Sequence, residues 1–313
     1  MRLKALATFA LVFALPMAAA QAVLWRAPED IARRDLFYGQ GGKSRQPAGG
    51  YRFIKEDAGG TSPKFIVKDA RGAKWKVKLG PEAQTETAAT RLLWAAGYFT
   101  DEDYYLPSMR VAGLPELKRG QKYVSNGVAQ GARLERMYEG GDGGNWSWFE
   151  NPFIGTKQFD GLRVLVVLMN AWDLKESNNR IERRGGQQRY VVADLGATFG
   201  KSGSNWSRSK GDLDDYLESK FIDEIDGKNV DLKLKTRPPA PYVISIPYYA
   251  ERTKMAKVAD DIPRAHARWI GSWLARLSDK QIGDAFRAAG YEAPAVNAYT
   301  RKVRSRIVAL NKL

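Results

Sequence analysis

The side chains able to carry chemistry in this chain are few in kind. Cysteine is absent, and histidine occurs once, at His266. Disulfides, thiolate metal sites and a cysteine nucleophile are therefore excluded. So is a multi-histidine metal site, and a serine–histidine–aspartate triad fits poorly. Any chemistry must run on carboxylates, lysines, amides, hydroxyls and backbone groups. Three pieces of sequence gather such groups. Trp172-Asp173-Leu174-Lys175-Glu176-Ser177-Asn178-Asn179 directly follows a strongly apolar segment. Val191-Val192-Ala193-Asp194-Leu195-Gly196 ends a strand-like run, with Asp194 placed 21 residues after Asp173. Lys78 ends another strand-like run, and Glu86 follows it on a helical pattern.

The elements that must hold these groups are legible from periodicity. Tyr51–Lys55 and Lys64–Lys68 carry aromatic and β-branched residues. Lys74–Leu79 alternates strictly, with Trp75, Val77 and Leu79 on one face and three lysines on the other. Glu56–Pro63, which contains Gly59, Gly60, Thr61 and Ser62, joins the first two runs; Asp69–Gly72 joins the last two. An antiparallel meander is expected. A helix then runs from Pro81 to Gly97, with Glu82, Glu86 and Ala89 along one side. Strand-like runs return at Lys122–Val128 and Ala132–Met137. Glycines 140, 141, 143 and 144 read as a flexible connection.

Thr156–Ala171 is expected to be a buried helix, because its centre is apolar all round. Arg180–Glu182 and Tyr190–Ala193 read as strands around Gly185-Gly186, and 197–215 as a mobile loop. Residues 236–241 contain too much proline for a helix. Ile262–Leu277, Asp279–Ala289 and Tyr299–Leu310 complete the chain as helices, and no internal repeat is evident.

Read together, these pieces resemble the protein-kinase-like fold. Asp173-Leu174-Lys175-x-x-Asn178 has the catalytic-loop spacing, and Asp194-Leu195-Gly196 matches the metal-binding Asp-Phe-Gly position with leucine for phenylalanine. The resemblance follows the order of elements over most of the chain, but only about twenty residues by motif. It implies an α+β fold of two lobes: a small antiparallel β-rich lobe with one helix, and a larger helical lobe.

The resemblance also implies ATP and Mg²⁺ as cofactors, because Mg²⁺ prefers hard oxygen ligands. Asp194 and Asn178 would hold metal. Asp173 would orient the acceptor hydroxyl and take its proton, and Lys175 would neutralise the transferring group. Lys78 would meet the phosphates and be fixed by Glu86. Lys76 competes with Lys78 for that place, and Lys78 is preferred because it immediately precedes the helix. Gly59, Gly60, Thr61 and Ser62 stand where a phosphate loop would lie, though no G-x-G-x-x-G is present. Ala171-Trp172 replaces the usual His-Arg, so activation through a phosphorylated loop is not implied. The short spacing from Lys78 to Glu86 points to atypical branches: phosphoinositide-kinase-like, HipA-like or secreted Golgi-type kinases.

Location and partners follow from the ends and the charge. Arg2 and Lys4 precede an apolar run, Ala5–Leu15, then Pro16 and small residues. This is the pattern of a cleavable signal peptide over 1–22, cut after Ala20 or after Ala22. A periplasmic or secreted protein is expected, with no transmembrane anchor after cleavage. The expected division is then a lead-in over 23–50, a first lobe over 51–140 and a second over 141–313. The 313 residues carry 50 Lys and Arg against 35 Asp and Glu, a net charge of +15. That balance favours acidic partners without selecting one. The scattered tryptophans give no base-stacking platform, so no specific nucleic acid is expected. The leading reading is phosphoryl transfer from ATP to a hydroxyl of a protein, lipid or envelope glycan. A second is a pseudokinase or envelope binding module that uses the cleft for another ligand. A third is a basic protein that binds acidic polymers by charge.

Overall fold

Alternation in the first half of the chain builds strands, and apolar stripes in the second half build helices. The computed structural model describes residues 20–138, 141–201, 209–234 and 246–313. In chain order, β1 (Gln21–Val23) is followed by three short 3₁₀ turns. Then come β2 (Tyr51–Asp57), β3 (Lys64–Lys68), β4 (Lys74–Leu79), α1 (Glu82–Ala95), β5 (Phe99–Thr100), β6 (Asp103–Ala112), β7 (Val124–Ser125) and β8 (Val128–Arg136). β9 (Gly141–Asp142), α2 (Lys157–Leu168), β10 (Asn179–Arg184) and β11 (Gln187–Val192) follow. The rest comprises α3 (Leu213–Glu218), β12 (Ile222–Asp226), β13 (Asn229–Leu232), α4 (Ile246–Ala256), β14 (Ile262–Pro263), α5 (Arg264–Leu274), α6 (Asp279–Ala288) and α7 (Ala293–Asn311). The α+β order, β-rich first and helical last, is the expected one.

The first sheet has strand order β4-β3-β2-β6-β8-β7, and β4 pairs with β8 as well. The meander β2-β3-β4 is antiparallel as expected, but the extra β4–β8 pairing closes the sheet on itself. Phe65, Val67, Trp75, Val77, Met109, Val111 and Leu134 form its core. β6, ten residues long and paired along β8, has no counterpart in the sequence reading. Pro107 interrupts its pattern, and proline donates no ladder hydrogen bond. Lys122–Val128 is not one strand: a 3₁₀ turn over Gln121–Tyr123 precedes the two-residue β7. A turn at Asn126 and Gly127, both at positive φ, then leads into β8.

The second core is larger. α2 is capped by Thr156, whose hydroxyl accepts from Phe159 N, and its apolar centre is buried between α5 and the residues around it. α1 belongs to this core by packing: Ala88, Ala89, Leu92 and Leu93 lie within it, and α1 packs on α6. The lead-in is also anchored there, through Leu24, Ile31 and Leu36. Trp25 donates to Ala96 O at 2.7 Å and packs edge-on against Trp269 and Trp273.

Several expectations shift. Gly141–Asp142 is pinned to β10 rather than flexible, with Gly143 N donating to Ile181 O at 2.8 Å. Of 197–215, the portion up to Lys201 is packed, with Phe199 fully buried against Tyr216, Phe286 and Tyr299, and α3 begins at Leu213. The remainder of that loop, the proline-rich 236–241 and the signal-like 1–19 lie outside the described residues. Ile262 and Pro263 form a strand before α5, and α7 starts at Ala293, six residues earlier than expected, with Pro294 in its first turn.

Candidate active site

The pleat of β4 turns Lys76 and Lys78 to the same side. The two lysines find different partners. Lys76 Nζ lies 3.0 Å from Glu135 Oε1 on β8. Lys78 Nζ lies 2.6 Å from Glu86 Oε2, 2.7 Å from Asp194 Oδ1 and 3.3 Å from Glu82 Oε2. Glu82 and Glu86 are one helical turn apart at the start of α1, so both carboxylates face the end of β4. Burial alone would lower the Lys78 ammonium. Glu86 and Asp194 outweigh it, with Glu82 adding, and hold the lysine charged well above its usual range.

Glu86 is fully buried, and burial pushes its carboxyl up to about 7 although Arg133 and Lys78 pull the other way. Glu82 behaves oppositely. Its partial burial is outweighed by Lys78, by Lys210 and by the Ser62 hydroxyl, which donates at 2.6 Å, and it is held down to about 2. Lys210 Nζ also contacts Glu82 Oε1. Glu82 thus joins the β2–β3 turn, β4 and the segment before α3.

Asp194 is set apart from these buried acids. Its side chain is 46% exposed, so it opens to solvent while Glu86, at 1%, does not. It also holds φ at +50°, a left-handed conformation rare outside glycine. Gly196 follows, where an added Cβ would come within 2.6 Å of Glu82 Cβ. Thr85 Oγ1 donates to Gly196 O at 2.7 Å. The start of α1 therefore packs directly against Asp194-Leu195-Gly196, with Leu195 in the larger core.

The loop after α2 brings in the remaining groups. Asn170 leaves the helix at φ +53°, and a 3₁₀ turn over Glu176–Asn178 reverses the chain. Asn178 Nδ2 donates to Asp173 O at 2.8 Å, which fixes the loop and leaves the amide oxygen for a cation. Lys175 Nζ lies 3.3 Å from Asp173 Oδ1. Asp173, Asn178 and Asp194 line one small hollow. Asn178 and Asp194 also line a cleft of about 620 Å³, together with Lys78 and Glu86. Gly59, Gly60 and Thr61 are exposed and do not line that cleft; of the turn, only Ser62 reaches the site, through Glu82.

A divalent cation fits the groups present. Among the described residues no cluster of three or more carboxylate or histidine side chains is arranged to hold a metal. One carboxylate and one amide, Asp194 and Asn178, suit Mg²⁺, which usually takes few protein ligands and completes its shell with water and phosphate oxygens.

Sequence reasoning missed the charged groups behind Lys78. Arg133 on β8 is buried and reaches Glu86 at 3.4 Å, Asp101 at 3.1 Å, Asp103 at 2.7 Å and Glu135 at 3.1 Å. Asp103 also pairs with Arg91 at 2.6 Å, and Asp101 with Arg180 at 2.6 Å. The cluster Asp101-Glu102-Asp103 at the entry to β6 was the available signal, since three adjacent acids there need partners when buried. Glu82 carried a signal too, one turn ahead of Glu86.

No family model matches the chain, and no curated protein matches it. Among solved structures, the Helicobacter pylori proinflammatory kinase CtkA is similar at 11% identity, with 84% of this chain and 96% of that one covered and a TM-score of 0.46. The Golgi casein kinase is similar at 9% identity, with 85% and 73% covered and a TM-score of 0.38. Neither likeness bears on activity. In this chain's own geometry, Lys78 on β4, Glu86 on α1, Asn178 and Asp194 surround one cleft, and Asp173 lines the small hollow that shares Asn178 and Asp194.

Proposed function

We propose that this chain is an atypical kinase-like phosphotransferase that uses ATP and Mg²⁺ to phosphorylate a hydroxyl of a protein, lipid or envelope glycan. One observation carries the reading. Lys78 Nζ stands between Glu86 Oε2 at 2.6 Å and Asp194 Oδ1 at 2.7 Å, so a buried cation and an open carboxylate meet at the mouth of one cleft. In that reading Lys78 receives the phosphates, and Glu86 holds its rotamer. Asp194 and Asn178 hold the metal, whose part is to neutralise charge on the phosphate oxygens. Asp173 takes the proton of the acceptor hydroxyl, and Lys175 offsets charge on the group in transfer. Ser62 reaches this arrangement through Glu82.

Export is part of the proposal and rests on the n-region, apolar run and small-residue site in residues 1–22. Among the described residues no helix is long and apolar enough to cross a membrane. The test of the activity is transfer of label from γ-labelled ATP, with Mg²⁺, to envelope extract or to the protein itself. Label should transfer with the wild type and fail with Asp173→Ala and Asp194→Ala. Full transfer by both variants would remove the mechanism. Nucleotide binding without transfer would leave the pseudokinase reading in its place.

A further inference from the structure

The cleft adjoins a second pocket along β10 and β11. Arg136, Tyr138, Arg180, Glu182 and Arg184 line both, while Thr100, Glu102 and Arg189 line the second alone. Besides Arg136 and Arg180, three further guanidiniums gather at this edge. Arg26 and Arg189 lie 5.3 and 5.4 Å from the centre of the Phe99 ring, and Arg184 lies 4.8 Å from that of Tyr138. Arg26 is further tied to Gln187 Oε1 on β11.

Their charges are not matched. Arg180 nearby has Asp101 and Glu182, each at 2.6 Å. The other carboxylate of the pocket, Glu102, is engaged by Arg45 and Tyr138. Arg26, Arg184 and Arg189 form no ion pair among the described residues. Burial, then repulsion from Arg26 and Arg184, holds Arg189 below the usual guanidinium range. Three buried polar atoms of residues lining this pocket have no hydrogen-bond partner: Arg189 Nε and Thr100 Oγ1, which can donate, and Glu102 Oε1, which accepts.

Three like charges brought together by folding repel, and an unpartnered buried donor costs free energy. An oxyanion removes both penalties, because guanidinium forks donate to it in pairs. The arginines are already held by ring stacking and by Gln187, so little ordering remains to be done on binding. We propose that Arg26, Arg184 and Arg189 form an oxyanion site that takes a phosphate group, free or as a monoester. It is set apart from Lys78: Arg189 lines the second pocket and not the cleft that holds Lys78.

The test is calorimetric titration of the whole chain, at fixed ionic strength, with inorganic phosphate and with glycerol 3-phosphate. Saturable binding is expected, weakened at least tenfold by Arg184→Gln and by Arg189→Gln. Arg184 is exposed, so its variant keeps the fold. Lys64→Gln, at the other end of the cleft, should leave binding within twofold. Tighter binding of the ester identifies a carried phosphate, and equal binding a free one; either supports the site. No saturable binding of either probe, or equal weakening by Lys64→Gln and Arg184→Gln, overturns it.

Discussion

Lys78 and Asp194 are 116 residues apart in sequence, and their side chains meet at 2.7 Å. Lys78 comes from the closed sheet, Asp194 from the end of β11 beside the helical core. The contact therefore reports how the two halves of the chain are set against each other. Glu86 and Glu82 share the same ammonium from α1, a helix that packs into the larger core.

Removing the lysine should cost far more than neutralising its buried partner. Lys78→Met leaves three carboxylates crowded without their cation, and breaking a buried pair this way costs about 3–5 kcal/mol. Glu86→Gln should cost clearly less. Burial already raises the Glu86 carboxyl to about 7, and both Lys78 and Arg133 keep other carboxylates. Urea denaturation of the two variants compares them directly; equal costs would contradict this description of the ion cluster.

Gly196→Ala tests the packing of α1 on the Asp194 segment. The new methyl would lie 2.6 Å from Glu82 Cβ, close to the helix backbone rather than at a flexible tip. Overpacking of this kind costs about 1–3 kcal/mol. The shift should also move Glu82 off Lys78 and weaken nucleotide binding. A variant with unchanged stability and binding would show that the helix start yields freely.

Acid should destabilise the fold over a defined window. Asp101 is fully buried, yet Arg180, Arg133 and Lys76 outweigh that burial and hold it to about 2; Glu82 is likewise held to about 2. A carboxyl whose folded pKa is depressed contributes stability above its unfolded pKa and loses it as pH falls toward the folded value. The loss should run from about pH 4.5 down to about 2. Glu86 has the opposite sign. Its raised folded pKa favours the folded state at low pH, and that contribution is lost as pH rises toward 7. Glu82→Gln should flatten the acid limb of stability against pH, and Glu86→Gln should flatten the neutral limb. Parallel profiles for wild type and both variants would refute the assignments.

If the chain is exported and cleaved as proposed, the mature protein should begin at Gln21. Cutting after Ala20 leaves β1 whole, paired in parallel with Gln187–Arg189, whereas cutting after Ala22 removes two of its three residues. Mass spectrometry of the protein recovered from a producing cell's envelope decides between them. A start at Val23 would show that β1 is dispensable.

The residues of the candidate site were more legible in the sequence than the scaffold. Asp173, Asn178 and Asp194 were legible because short-range spacing around an apolar helix is a local signal, and strict alternation in Lys74–Leu79 marked the strand of Lys78. The closure of the sheet was not legible, since the β4–β8 pairing joins Trp75 to Arg136 across sixty-one residues and leaves no periodic trace. β6 was hidden by Pro107, and the burial of Arg133 by its neighbours Gly131 and Glu135, which read as surface. The packed part of the 197–215 segment was obscured by its serine, glycine and lysine content, while Ala197 and Phe199 carry it into the core.

The central claim is a Mg²⁺-dependent nucleotide site, and the most direct measurement is thermal unfolding of the signal-free protein with and without Mg²⁺-ATP. A ligand at 100 times its dissociation constant adds about 2.7 kcal/mol, a shift of several degrees for a chain of this size. The wild type should shift only when Mg²⁺ and ATP are both present. Asp194→Ala should lose the shift, and Asp173→Ala, which acts on the acceptor, should keep it. An unshifted wild type at millimolar Mg²⁺-ATP, or an equal shift without Mg²⁺, would contradict the account.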